Sequence, residues 1–116
     1  MKNLPFILFC ILVFFFVKKR FFDNTDYKSM LDNGGIIIDV RSESEFFSGH
    51  IENSLNIPLG NLSSKIDQFK DKDHPIITCC ASGMRSEKAK KILKKLEYSQ
   101  VYNGGGWSSL NKKINK

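Results

Sequence analysis

Ile36-Ile37-Ile38-Asp39-Val40 follows Gly34-Gly35 and is apolar at four of its five positions, without the alternation of a half-wet strand. A strand apolar on both faces must be covered on both, so this run reads as the buried, central strand of a parallel sheet. From Asp23 onward short β-branched runs alternate with helical patterns, and such alternation argues for crossover helices between parallel strands. Further strands are expected at Ser54–Ile57, stopped by Pro58, at Pro75–Cys79, and at Val101–Tyr102. Helical spacing appears in Glu43–Ser48, ended by Gly49, in Leu62–Phe69, and in Ser86–Leu96, where Ala89, Ile92, Leu93 and Leu96 share one face. Asn103-Gly104-Gly105-Gly106 reads as a turn into a terminal helix starting near Trp107. The expected fold class is α/β: a central, mainly parallel sheet of about five short strands flanked by helices on both faces. A chain of 116 residues has room for one such core.

Two segments divide the chain, residues 1–22 and 23–116. Leu4–Val17 is an unbroken apolar run of 14 residues between Lys2 and the cluster Lys18-Lys19-Arg20. It has the length of a signal-peptide core, but no small-x-small cleavage site follows it and the basic cluster resembles a stop-transfer flank. The expectation is a membrane anchor through residues 4–17. Three basic residues behind the run outweigh Lys2 and the terminal amine in front, which places the following domain on the cytoplasmic side. Export through a signal peptide to the periplasm or beyond is the alternative.

The formal charge of +6 raises the question of nucleic acid. Four of the 18 basic residues lie in residues 1–22, leaving 14 against all 12 acidic residues in the rest. Those lysines are interleaved with acids or line the outer face of one helix, so a solvated surface is expected and no nucleic-acid partner. Cys10, Cys79 and Cys80 are an odd number without framework spacing, and vicinal cysteines close only a strained ring. His50 and His74 do not lie at ligand spacing from a cysteine pair, so no metal site is expected.

The chemistry therefore concentrates in Thr78-Cys79-Cys80-Ala81-Ser82-Gly83-Met84-Arg85-Ser86, which joins the end of a strand to the start of a helix. Open α/β sheets place their ligand sites at such junctions. A cysteine there sits under unpaired backbone amides and the positive end of a helix dipole, and both favour the thiolate. Arg85 adds a permanent charge, and a cysteine facing it is expected to have a depressed pKa. Gly83 with the small Ala81 and Ser82 lets the backbone curl round an anion. If Cys79 ends the strand it points into packing and Cys80 opens the loop, although a slip of one residue reverses this.

Cys80-Ala81-Ser82-Gly83-Met84-Arg85-Ser86 resembles the active-site loop of the single-domain rhodanese-like sulfurtransferases, Cys-x-x-Gly-x-Arg-Ser. Other landmarks of that family match in order: Ile38-Asp39-Val40-Arg41 with Glu45-Phe46, Gly49-His50-Ile51, Ser54-Leu55-Asn56-Ile57-Pro58, and Val101-Tyr102-Asn103 before Gly104-Gly105-Gly106-Trp107. The resemblance implies a rhodanese-like domain over residues 23–116 that moves sulfur in two steps. The Cys80 thiolate would take the outer sulfur of a small anionic donor such as thiosulfate as a persulfide, then pass it to cyanide or a thiol. Backbone amides of Ala81, Ser82, Gly83, Met84 and Arg85 would hold the persulfide charge, and the Arg85 side chain would draw in the donor. It implies no metal or organic cofactor, and a monomeric domain. His50 then matches a packing position at a helix end, Asp39 and Arg41 an ion pair, and Trp107 core or the rim of the site. One departure is Glu97, where relatives often carry glycine after the helix that follows the loop.

Two other readings stay open. Counted from Cys79 the loop is Cys-x5-Arg, the spacing of cysteine phosphatases and of rhodanese-fold arsenate reductases, whose longer loop encircles a tetrahedral oxyanion. Gly83 falls where the shorter frame needs it, and Thr78 stands where the phosphatase pattern has histidine. The third reading is a rhodanese-type binding module without turnover.

Overall fold

A computed structural model describes residues 26–115. The anchor expected at residues 4–17 lies outside them, and among the described residues no helix is long and apolar enough to cross a membrane. Helix α1 spans Tyr27–Asp32, its first turn capped by the Asp26 carboxylate, which accepts from Ser29 N at 3.0 Å. Strand β1, Ile36–Asp39, leads to α2, Glu43–Ser48, and then to the two-residue strand β2, Leu55–Asn56. A short α3, Leu62–Lys65, precedes β3, Ile76–Cys80; α4 is Met84–Lys95, β4 is Val101–Gly106 and α5 is Trp107–Ile114.

All strand pairs are parallel, in the order β2-β1-β3-β4. The sheet has four strands among the described residues, one fewer than the approximate count expected. Side chains alternate between two cores as the pleat requires. Ile38, Ile76, Cys80, Ala89, Leu93 and Val101 belong to the core under α3 and α4. Ile37, Ile77, Cys79 and Leu110 belong to the other, under α1 and α5. Both faces of β1 and β3 are thus covered, which is why Ile36–Val40 shows no polar alternation.

Three expectations change in detail. Leu62–Phe69 is not one helix: a 3-10 turn at Leu59–Asn61, α3, and a second 3-10 turn at Ile66–Gln68 follow one another. The apolar spacing still delivers Leu62 and Ile66 to the core. Strand β4 does not stop at Tyr102 but runs through the three glycines that read as a turn. A Cβ on Gly104 would lie 2.7 Å from Leu110 Cδ2, and one on Gly106 2.8 Å from Ala81 O. Close approach, not turning, is what those positions demand. Strand β3 includes Cys80, one residue beyond the expected end.

The strand order steps from β1 outward to β2 and then returns past β1 to β3. The crevice where a doubly wound sheet binds ligands therefore falls at the carboxyl ends of β1 and β3. Asp39 and Cys79 are register partners there, and the loop after Cys80 rises from that edge.

Candidate active site

Cys80 ends β3 with its side chain on the α4 face of the sheet, buried to 1% exposure. Gly83, at φ 103°, turns the chain into α4 and supplies no side-chain cap. The sulfur takes over that duty. Cys80 Sγ accepts from Gly83 N at 2.9 Å and from Ser86 N, in the first turn of α4, at 3.4 Å. The Ser86 hydroxyl lies 3.4 Å from the same sulfur. Burial pushes the Cys80 thiol up, but the Ser86 hydroxyl and the Ser86, Ser82 and Gly83 amides outweigh it and bring the thiol below its ordinary value.

A polar support lies behind the loop. Ser86 Oγ donates to Asn103 Oδ1 at 2.6 Å, and that oxygen also accepts from Gly105 N at 2.9 Å. Asn103 Nδ2 donates to Gly83 O at 3.2 Å and to Glu87 Oε2 at 3.0 Å. The glycine run of β4, which bulges at Gly105 (φ 82°), thus serves as the backing of the loop, with Gly105 Cα 3.4 Å from where a Gly83 Cβ would stand.

Arg85 departs from expectation. Its guanidinium is held by Glu45, Nη1 to Oε1 at 2.7 Å and Nη2 to Oε2 at 2.9 Å, whereas Cys80 Sγ accepts from the backbone amides of Gly83 and Ser86. This pairing, with help from Ser42, holds the Glu45 carboxyl down to about 2. Ser42 and Glu45 form a capping box at the start of α2, Glu45 N donating to Ser42 Oγ at 3.3 Å and Ser42 N to Glu45 Oε1 at 3.3 Å. Of the other loop residues, Ala81 and Ser82 are exposed and Met84 stands out at 74% exposure.

Asp39 and Arg41 form the expected ion pair, with Arg41 Nη2 to Asp39 Oδ2 at 2.8 Å and Nε to Oδ1 at 3.0 Å, both side chains buried. Arg41 also donates to Gly49 O at 2.7 Å and to Glu45 O at 3.3 Å, and lies 4.8 Å from the Trp107 ring centre. The pair fixes α2, and α2 carries Glu45 to Arg85. His50 stays away from the loop: its ring stacks on Phe46 at 3.8 Å and its Nδ1 meets Phe46 O at 2.8 Å. Cys79 faces the opposite core, fully buried, and burial first and the Asp39 charge second push its thiol far above the ordinary value.

Sequence reasoning passed over three contributors, Ser86, Asn103 and Glu45. Glu45 was legible as the last member of the Ser42-x-x-Glu45 capping box. Ser86 and Asn103 stood in motifs as landmarks, with no local pattern to say that they meet.

The profile of the rhodanese-like domain matches residues 23–113. The chain belongs to this family. This rhodanese-like chain is 35% identical over 79 residues to the uncharacterised protein YqhL of Bacillus subtilis, covering 67% of itself and 62% of that relative. It is 34% identical over 70 residues to the thiosulfate sulfurtransferase PspE of Escherichia coli, 60% of this chain and 67% of the relative. The chain thus spans less than two thirds of YqhL and about two thirds of PspE. Among solved structures it resembles a rhodanese with anions from E. coli at a TM-score of 0.62 and 32% identity, covering 65% of this chain and 89% of that one. Sulfur transfer from thiosulfate is therefore an activity named within the family of this rhodanese-like domain.

Proposed function

We propose that the chain is a rhodanese-type sulfurtransferase that carries sulfane sulfur as a persulfide on Cys80. The observation that carries this reading is the Cys80 sulfur at the N-terminus of α4, accepting from Gly83 N and Ser86 N, with its thiol lowered despite burial. The thiolate attacks the outer sulfur of the donor. For thiosulfate, a Cys80–S–S bond forms, the S–S bond of the donor breaks and sulfite leaves with its electron pair. The terminal sulfur carries the charge into the cup of residues Ala81 to Arg85, whose amides stabilise it. Attack by cyanide or a thiolate on that sulfur restores the Cys80 thiolate and releases thiocyanate or a new persulfide.

What speaks against phosphate chemistry in the Cys79 frame is that Cys79 lies in the opposite core with a thiol raised by burial. What speaks against a module without turnover is that Cys80, Gly83 and Arg85 are all present in a loop that favours the thiolate. The test is intact mass after thiosulfate treatment and desalting, on the parent chain and on Cys79→Ser and Cys80→Ser. A gain of one sulfur atom in the parent and in Cys79→Ser, absent from Cys80→Ser, is the expected result. Retention of the adduct by Cys80→Ser sinks the assignment.

We also propose that residues 4–17 anchor the domain at a membrane with the domain on the cytoplasmic side, on the strength of Lys18, Lys19 and Arg20 behind the apolar run. Labelling intact cells with a thiol reagent that does not cross membranes tests this. Protection of Cys80 until the cells are permeabilised is expected, and immediate labelling would place the domain outside.

A further inference from the structure

The arginine of the loop is the cation a sequence reader assigns to an anionic donor, yet its fork is already filled by a carboxylate. Glu45 is not casually placed there. Its Oε1 also accepts from Ser42 Oγ at 3.0 Å, and its carbonyl accepts from Arg41, whose other bonds reach Asp39 and Gly49. The carboxylate is thus fixed at the start of α2 by groups that do not depend on Arg85. It stays ionised throughout the pH range in which a thiolate works.

We infer that Glu45 is a specificity-determining residue: by occupying Arg85 it tunes the loop away from dianionic sulfur donors and toward donors with one negative charge or none at the reacting end. The inference rests on the sulfur-transfer reading and deepens it. A donor of the first class is thiosulfate. One of the second is an alkyl persulfide, from which the Cys80 thiolate takes the outer sulfur while the S–S bond breaks and the alkyl thiolate leaves. The electrostatic reason lies in the count of charges. Gly83 N and Ser86 N already point at the cysteine sulfur, and the amides of a helix N-terminus amount to only about half a positive charge. A dianion brings two more charges to a thiolate, and the pair Arg85–Glu45 offers it no net compensation. A persulfide brings no oxyanion and loses little from the pairing.

The test measures how fast Cys80 acquires one sulfur atom, read by intact mass at timed intervals, with thiosulfate and with N-acetylcysteamine persulfide. The full chain and its Glu45→Gln variant are compared; glutamine keeps an oxygen for Ser42 N. Freeing Arg85 is expected to speed thiosulfate loading about tenfold while persulfide loading changes less than about twofold. Glu45→Ala, which removes the charge without offering Arg85 a new oxygen, is expected to shift the ratio the same way. Equal change with both donors, or slower thiosulfate loading with persulfide loading intact, overturns the inference. A parent chain that takes sulfur from neither donor overturns the sulfur-transfer reading and this inference with it. The parent chain provides a check that needs no variant to fold. Its thiosulfate loading is expected to hold level or rise between about 50 and 500 mM salt, because a neutral pair gives the dianion no attraction to screen and salt weakens its repulsion from the thiolate. A steep fall with salt means Arg85 acts as a free cation and also overturns the inference.

Discussion

Ser86 has one hydroxyl proton and two neighbours that can use it. While Cys80 is a thiol, its S–H can donate to Ser86 Oγ and the hydroxyl proton goes to Asn103 Oδ1, the 2.6 Å bond observed. Once Cys80 ionises, the hydroxyl serves better turned toward the sulfur. Asn103 Oδ1 tolerates the change because Gly105 N still donates to it. The hydrogen bonds to the charged form lower the Cys80 pKa, so removing one raises it and moves the reactivity profile to higher pH. In Ser86→Ala the alkylation of Cys80 by iodoacetamide at pH 7 is expected to slow about fivefold, corresponding to about 1 kcal/mol for one lost bond. A pH profile of alkylation that coincides with the parent's would show the hydroxyl to be a bystander. At this scale the sequence marked out Cys80 and its small-residue loop, because those are contiguous. It did not show the pairing of Arg85 with Glu45, because that partner lies 40 residues earlier and a charge quoted alone says nothing about what it pairs with.

At the scale of elements, α4 shows how a cap can be read from sequence and then costed. Tyr98 N donates to Leu93 O at 3.1 Å and Glu97 N to Lys94 O at 3.0 Å, the paired closing bonds of a Schellman motif, with Glu97 at φ 74°. The side chain of a residue other than glycine is crowded in that conformation. Glycine removes the crowding but gives back part of the gain by loosening the unfolded chain. Glu97→Gly is therefore expected to stabilise the fold by up to about 1 kcal/mol, seen as a higher urea midpoint at an unchanged m-value. Sulfur loading on Cys80 should stay the same, since this cap closes the end of α4 remote from the loop. A lower midpoint would show that the Glu97 side chain does something its backbone angle does not reveal. The same reasoning from local chemistry failed at Asn103-Gly104-Gly105-Gly106. Glycine signals both turns and close approach, and only the positions of Leu110, Ile77 and Ala81 around β4 say which. It failed as well at Leu62–Phe69, where an apolar spacing that satisfies the core proved compatible with 3-10 turns on both sides of a single α-helical turn.

At the scale of the whole molecule, the parallel sheet covered on both faces was legible in Ile36–Val40, and each of the four strands, down to the two-residue β2 inside Ser54–Ile57, falls in a segment whose pattern marked it; no fifth strand joins them among the described residues. The two-sided cover also decides what the adjacent cysteines can do together. Cys79 and Cys80 are consecutive residues of β3, so their side chains point to opposite faces, one into the core of Tyr27, Ile37 and Leu110, the other toward α4. For Cys79 to reach a persulfide on Cys80, β3 would have to leave the sheet, giving up its bonds to both β1 and β4. Cys79 is thus packed away from the Cys80 sulfur in the folded chain, and under the sulfur-transfer proposal the acceptor comes from outside the folded core. This makes its exposure a reporter of global opening. With peptide mapping to keep Cys10 apart, native-state alkylation should modify Cys80 first, and Cys79 more slowly by about four orders of magnitude or more, the factor set by a typical folding free energy. The Cys79 rate should rise steeply with urea, with the slope of global unfolding. Comparable alkylation of both cysteines in the folded chain would mean that β3 opens locally and lets Cys79 reach the loop.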